Sequence, residues 1–332
     1  MHEASPASGD SSSFYQSDVP GCAGAPFVLT LADPACVPVL ICAPHGGRAY
    51  TPELMAALRE GQKAALRLED RYIDRIAARV AQATGAGLLV ARAPRAVLDL
   101  NRAPDDIDWG MIPDTGRAEA REAVIAAGGT VRAQSHPSQR VRAGLGLVPR
   151  RVPGMGELWS RPLPGAELAR RIAGLHAPYH ACIAEQLAAL RARWGAALLI
   201  DLHSMPPLPC NEGETPVSCV LGDRFGASCS TGLVAKAFGA LDESGWLVAH
   251  NRPYAGGYVL DRHAAPRDGI HAIQLEIDRA AYLDSRLVDL GPGADGVVER
   301  LIRLVRNLAC DVAAMGNITL DRRPPDWAEA AE

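Results

Sequence analysis

Apolar positions follow two alternating patterns along the chain. Short, nearly continuous apolar runs at Phe27–Leu31, Val39–Cys42, Gly87–Ala91, Ala197–Leu202, Val217–Leu221, Trp246–His250 and Ala272–Ile277 have the length of strands buried in a sheet. Between them lie longer stretches with apolar residues every three or four positions, which predict helices over Gln62–Thr84, Gly165–Trp194, Cys229–Leu241 and Gly296–Ala314. In the second of these, Ile172, Leu175, Tyr179, Ile183, Leu187 and Leu190 form one stripe to bury. Strands alternating with helices predict an α/β fold, a mixed sheet flanked by helices.

The pattern fails in three places. Residues 1–24 are polar, with serines at Ser11–Ser13, and read as a flexible N-terminal tail. Residues 103–164 carry Pro104, Pro113, Pro137, Pro149, Pro153, Pro162 and Pro164, with sustained periodicity only near Arg117–Ala127. This stretch reads as an excursion beside the site, within a single α/β domain over 25–320. Residues 321–332 read as a frayed C-terminal tail.

Composition narrows the function classes. A chain of 332 residues is long enough for one large domain or two, and needs no disulfide or metal merely to fold. Its net charge of −4 argues against a nucleic-acid partner held by phosphate contacts. No apolar run is long enough to span a membrane. The start of the chain lacks the basic and apolar segments of a secretory signal, so a cytoplasmic location is expected. The eight cysteines include no C-x-x-C pair, which excludes a zinc ribbon and argues against a disulfide framework.

Candidate chemistry gathers at strand ends. Pro44-His45-Gly46-Gly47 follows one apolar run, and Asp201-Leu202-His203-Ser204 closes another. Open α/β sheets bind ligands where strands end, and two histidines there suit a zinc site whose third ligand is a carboxylate. Asp201 could fill that place or orient His203 through its other ring nitrogen. Asp70, with Glu69 competing, is the other acidic candidate. Arg95 precedes Asp99-Leu100-Asn101-Arg102, where an amide and a guanidinium offer a grip for a carboxylate. Glu276, within the last apolar run, has the character of a general base for amide hydrolysis. Gly256-Gly257-Tyr258 and Asp261-Arg262-His263 form a glycine-flanked polar segment suited to a substrate.

The order of these motifs, from His45 to about Tyr282, resembles the N-formylglutamate amidohydrolase family, itself similar in fold to zinc carboxypeptidases and aspartoacylase-like deacylases. The resemblance implies zinc, or another divalent metal, on His45, Asp70 and His203, with Arg48 standing where the carboxypeptidases place a glutamate. It implies Glu276 as base and proton donor, Arg95 at the oxyanion, and Asn101 and Arg102 on the substrate carboxylate. Tyr258, Arg262 and His263 would line the substrate side. The implied reaction cleaves a small-molecule substrate, N-formyl-L-glutamate, to formate and glutamate in histidine degradation. Alternatives are another N-acyl amino-acid deacylase, a carboxypeptidase-like peptidase, or a non-catalytic metal- or ligand-binding protein on the same fold.

Overall fold

The computed structural model describes residues 11–15, 17–32, 35–130, 138–152 and 154–321. An eight-stranded sheet runs in the order Ser11–Phe14, Phe27–Leu31, Gly87–Ala91, Val39–Ala43, Ala197–Met205, Ile270–Asp278, Cys219–Gly222, Val248–His250. Its centre is parallel, from Gly87–Ala91 through Ile270–Asp278, while antiparallel pairs occur toward both edges. The two middle strands are buried at every position, Val39–Ala43 and Ala197–Met205 alike, as a sheet covered on both faces requires.

Alternation assigns the faces. Val39, Ile41, Leu198, Ile200, Leu202, Ile273 and Leu275 meet the helices Ile73–Thr84, Thr231–Asp242 and Ala294–Asp321. Leu40, Cys42, Ala197, Leu199 and Ala272 pack on the other side against Tyr179, Cys182, Ile183 and Leu187 of the helix Ala177–Trp194. The Pro-rich stretch joins this second core through Met111, Ile112, Val124, Leu147 and Leu163, and adds a short helix Arg117–Ala126 and a ribbon pairing Arg151–Val152 with Gly156–Glu157. No helix among the described residues is long and apolar enough to cross a membrane. Cys22, Cys42, Cys182, Cys210, Cys219, Cys229 and Cys310 are free thiols.

Three expectations are corrected. The helix foreseen over Gln62–Thr84 is two, Gly61–Leu68 and Ile73–Thr84, because the chain breaks at Glu69-Asp70 and Tyr72 takes a left-handed φ of 58°. The break is held by tertiary bonds: Asp70 N–H donates to the His45 carbonyl at 3.0 Å, and Arg279 donates to the Glu69 carbonyl at 2.6 Å. The helix Gly165–Trp194 is continuous but contains a π turn at Ile172–His176, a local widening that turns His176 as well as His180 into the core. The expected tail over 1–24 is anchored in its described part: Ser11–Phe14 pairs with Phe27–Leu31 as an edge strand, and Val19 is buried. The C-terminal tail falls outside the described residues beyond Asp321, where the last helix ends.

Candidate active site

Parallel pairing places Asp201 opposite Gln274 and His203 opposite Glu276 at the carboxyl ends of neighbouring strands. All four share the face occupied by Leu199 and Ala272, so two strands alone present a carboxamide, an imidazole and two carboxylates on one surface. His45 follows the adjacent strand, and the helix break delivers Asp70 beneath it. Gly47 lets that turn close, since a Cβ there would fall 2.1 Å from the Ala93 carbonyl oxygen.

One nitrogen of each imidazole is taken by a carboxylate. His45 Nε2 donates to Asp99 Oδ1 at 2.8 Å, and His203 Nε2 donates to Asp201 Oδ2 at 2.8 Å. Both Nδ1 lone pairs therefore turn toward Asp70. His203 Nδ1 lies 2.9 Å and His45 Nδ1 3.5 Å from Asp70 Oδ2, with all three residues buried. Two ring nitrogens facing a carboxylate oxygen call for a positive charge between them, a ring proton or a cation. His45 Nδ1 makes no hydrogen bond at all. One ligand atom from each of His45, Asp70 and His203 lies within 4.8 Å of the others, a spacing compatible with a metal ion. Asp201 therefore orients His203, and Glu69 turns away to pair with Arg71 at 2.9 Å.

Around this cluster the charges are matched. Burial raises Asp70, but the His203 hydrogen bond and the charge of the two facing imidazoles outweigh it and hold the carboxyl well below its ordinary range. Burial likewise opposes ionisation of Asp99, and Arg95, His45 and Arg102 reverse that effect. Arg95 grips Asp99 Oδ2 through Nε and Nη2 at 2.9 and 2.7 Å. Glu276 is different: burial pushes it up to about 7, with Asp70 adding to the rise and His203 opposing it. It accepts a hydrogen bond from Gln274 Nε2 at 2.9 Å.

These residues line a cavity of about 740 Å³. His45, Asp70, Arg95, Asn101, Arg102, His203 and Glu276 all reach it. Asn101 is nonetheless committed elsewhere: its Nδ2 donates to Gln274 Oε1 at 3.0 Å, and its Oδ1 accepts from Val259 N–H at 2.9 Å. The amide thus braces the site, where a grip on substrate had been expected. Arg102 donates to the Leu145 and Asn101 carbonyls through Nε and Nη1, which leaves Nη2 without an acceptor among the described residues.

Tyr258, Arg262 and His263 do not line the cavity. The helix Tyr258–His263 directs Arg262 onto the Tyr258 hydroxyl, and buries His263 against His180 with Nε2 and Nδ1 2.9 Å apart. The preceding loop supplies the wall instead, through Tyr254, Ala255, Gly256 and Gly257. Sequence reasoning also missed Arg140 and Arg279, which line the cavity, and Gln274, read only as part of a motif. Arg279 donates to Asp70 Oδ1 at 3.1 Å, and its one signal was a cation directly following the strand that carries Gln274 and Glu276.

Residues 37–283 match the family model described as N-formylglutamate amidohydrolase. The N-formylglutamate deformylase of Pseudomonas aeruginosa is 32% identical over 286 residues, 80% of this chain and 91% of that relative. A protein of the same name from Pseudomonas putida is 29% identical over 258 residues, covering 75% of this chain and 82% of its own. The crystal structure of N-formylglutamate amidohydrolase from Ralstonia eutropha JMP134 superposes with a TM-score of 0.74 at 28% identity, over 87% of this chain and 99% of that one. A family match spanning most of the chain, with the motif residues gathered around one cavity, makes this protein a member of the N-formylglutamate amidohydrolase family, and an amidohydrolase.

Proposed function

We propose that the protein cleaves the formyl amide of N-formyl-L-glutamate to formate and L-glutamate, with zinc held by His45, Asp70 and His203. The observation that carries the reading is the pair of inward-facing imidazole nitrogens on Asp70, with the Glu276 carboxyl, pushed up to about 7, in the same cavity. Bound there, zinc acidifies water and polarises the scissile carbonyl. Glu276, ionising near neutrality, takes the proton of the attacking water and returns it to the leaving nitrogen. Gln274 holds the Glu276 carboxylate through its amide, so the base is oriented before substrate arrives. Arg102, fixed by two backbone carbonyls, offers Nη2 to the substrate's α-carboxylate, and Arg95 places positive charge beside the developing oxyanion.

Metal analysis coupled to a formate-release assay tests the reading. The purified protein should carry about one zinc per chain, and His45→Ala and His203→Ala should each lose metal and activity together. Full metal content in both variants, or an active wild type that releases another acyl group and no formate, overturns it.

A further inference from the structure

Most cationic side chains around the cavity already have an acidic partner. Lys63 pairs with Glu60 at 2.7 Å, Arg95 with Asp99 at 2.7 Å, Arg279 with Asp70 at 3.1 Å and Arg286 with Asp284 at 3.1 Å. Arg140 lines the same cavity with no hydrogen bond or ion pair to its guanidinium among the described residues. It sits on the short turn Gln139–Arg142, capped by Ser138, in the Pro-rich excursion.

That turn is tied to the substrate side of the site. Arg102 Nε donates to the Leu145 carbonyl at 2.9 Å, and Leu145 N–H donates to the Arg140 carbonyl at 2.9 Å. Burial lowers Arg102, Asp99 opposes that fall, and Arg95 and Arg140 add to it, so the Arg140 charge reaches the Arg102 guanidinium. Burial and Glu276 push the Tyr254 phenol up while Arg140 draws it down, which sets Arg140, Tyr254 and Glu276 around one volume. Asp99 lies 3.9 Å from Arg102 Nε, while Arg140 has no acidic partner among the described residues, so the wall carrying Arg102 Nη2 and the Arg140 guanidinium favours a ligand that brings more than one negative group. A dicarboxylate meets that requirement and a monocarboxylate does not.

We propose that Arg140, with Tyr254 beside it, receives the side-chain carboxylate of an N-acyl amino acid whose α-carboxylate Arg102 holds, and so sets the preference for acidic over neutral side chains. The proposal rests on the deformylase reading above. It assigns a specificity role to the excursion: Arg102 recognises what all N-acyl amino acids share, and Arg140 recognises what distinguishes the acidic ones.

Formate release from N-formyl-L-glutamate and N-formyl-L-glutamine, measured on wild type, Arg140→Ala, Arg140→Lys and Arg102→Ala, decides it. Loss of a charge-assisted bond should lower kcat/KM of Arg140→Ala for the glutamate substrate by about 10- to 100-fold, mainly through KM. The glutamine substrate should change by less than about threefold on the same scale, because an uncharged side chain never formed that bond. Arg140→Lys should recover part of the loss, and Arg102→Ala should impair both substrates. Arg67, the other lining cation without an acidic partner among the described residues, is the control: Arg67→Ala should not separate the two substrates. Equal losses on both substrates with Arg140→Ala, or no loss on the glutamate substrate, overturn the assignment. A wild type that releases formate from neither refutes the deformylase reading itself, a different result from an active enzyme that ignores Arg140.

Discussion

Acidification from pH 7.5 to 5 should weaken the fold by about 2 kcal/mol for each of His176 and His263, buried behind Asn101 and Arg102, with His180 acting in the same direction. His176 Nε2 donates to the Arg102 carbonyl at 2.9 Å and His180 Nε2 to the Leu100 carbonyl at 3.0 Å, so the pair straddles the residue that braces the site. Burial is the main cause that lowers His176 to about 4 and His263 to about 3, and it holds His180 well below its ordinary value. In the unfolded chain each would titrate near about 6.5. Below that pH the unfolded state binds protons that the native state refuses, so stability is full above about 6.5 and falls toward the folded values. At pH 5 the gap to the unfolded value is about 1.5 pH units, and each is worth about 1.36 kcal/mol. Urea unfolding of wild type and His176→Gln at both pH values isolates one member, since glutamine can still donate to the Arg102 carbonyl and every other titrating group is common to both. The variant should lose about 2 kcal/mol less than wild type across the interval. Identical losses would refute the reasoning.

Glu276→Gln should keep its metal and KM while kcat falls by about 10²–10⁴, and a near-normal kcat removes Glu276 from the role of base. Asp70→Ala should shed metal while Glu69→Ala retains it, because Glu69 is spent on Arg71; the reverse ranking by metal analysis would transfer the ligand role. Gly257→Ala would put a Cβ 2.4 Å from Asn101 Oδ1, displacing the amide that holds Val259 and Gln274. It should lower stability by about 1–3 kcal/mol along with activity, and an unchanged melting temperature and rate would show that the brace is dispensable.

The middle of the sheet was legible because burial on both faces leaves an apolar run bounded by turns, and His45, His203 and Glu276 stand out against such runs as costly exceptions. Asp70 was legible only through its motif, since helical periodicity continues through it and the bonds that break the helix come from the distant His45 and Arg279. Asn101 and Arg102 look alike as a carboxylate grip in sequence, yet the structure spends the asparagine on its neighbours, which no local pattern records. The sequence could not place Tyr258, Arg262 and His263 relative to the cavity for a related reason. A six-residue helix shows too few turns for its sequence to say which side meets the cavity. His176 and His180 were invisible because they occupy an otherwise apolar helix face, and their partners are backbone carbonyls of a distant loop.

The attachment of the Pro-rich excursion sets a rule for exchanging it. Asp99 N–H donates to the Leu147 carbonyl at 2.7 Å and Arg102 to that of Leu145, so the inserted stretch holds both ends of the segment from Asp99 to Arg102 through main-chain acceptors. A replacement that presents two carbonyls, two residues apart, at the same height, and refills the buried places of Val141 and Leu147, would leave the hydrolytic core undisturbed. If Arg140 sets side-chain selectivity as proposed, that selectivity is separable from bond cleavage, and a library confined to the exposed positions of 138–144 could be screened for new acyl amino acids without first rescuing a broken catalyst.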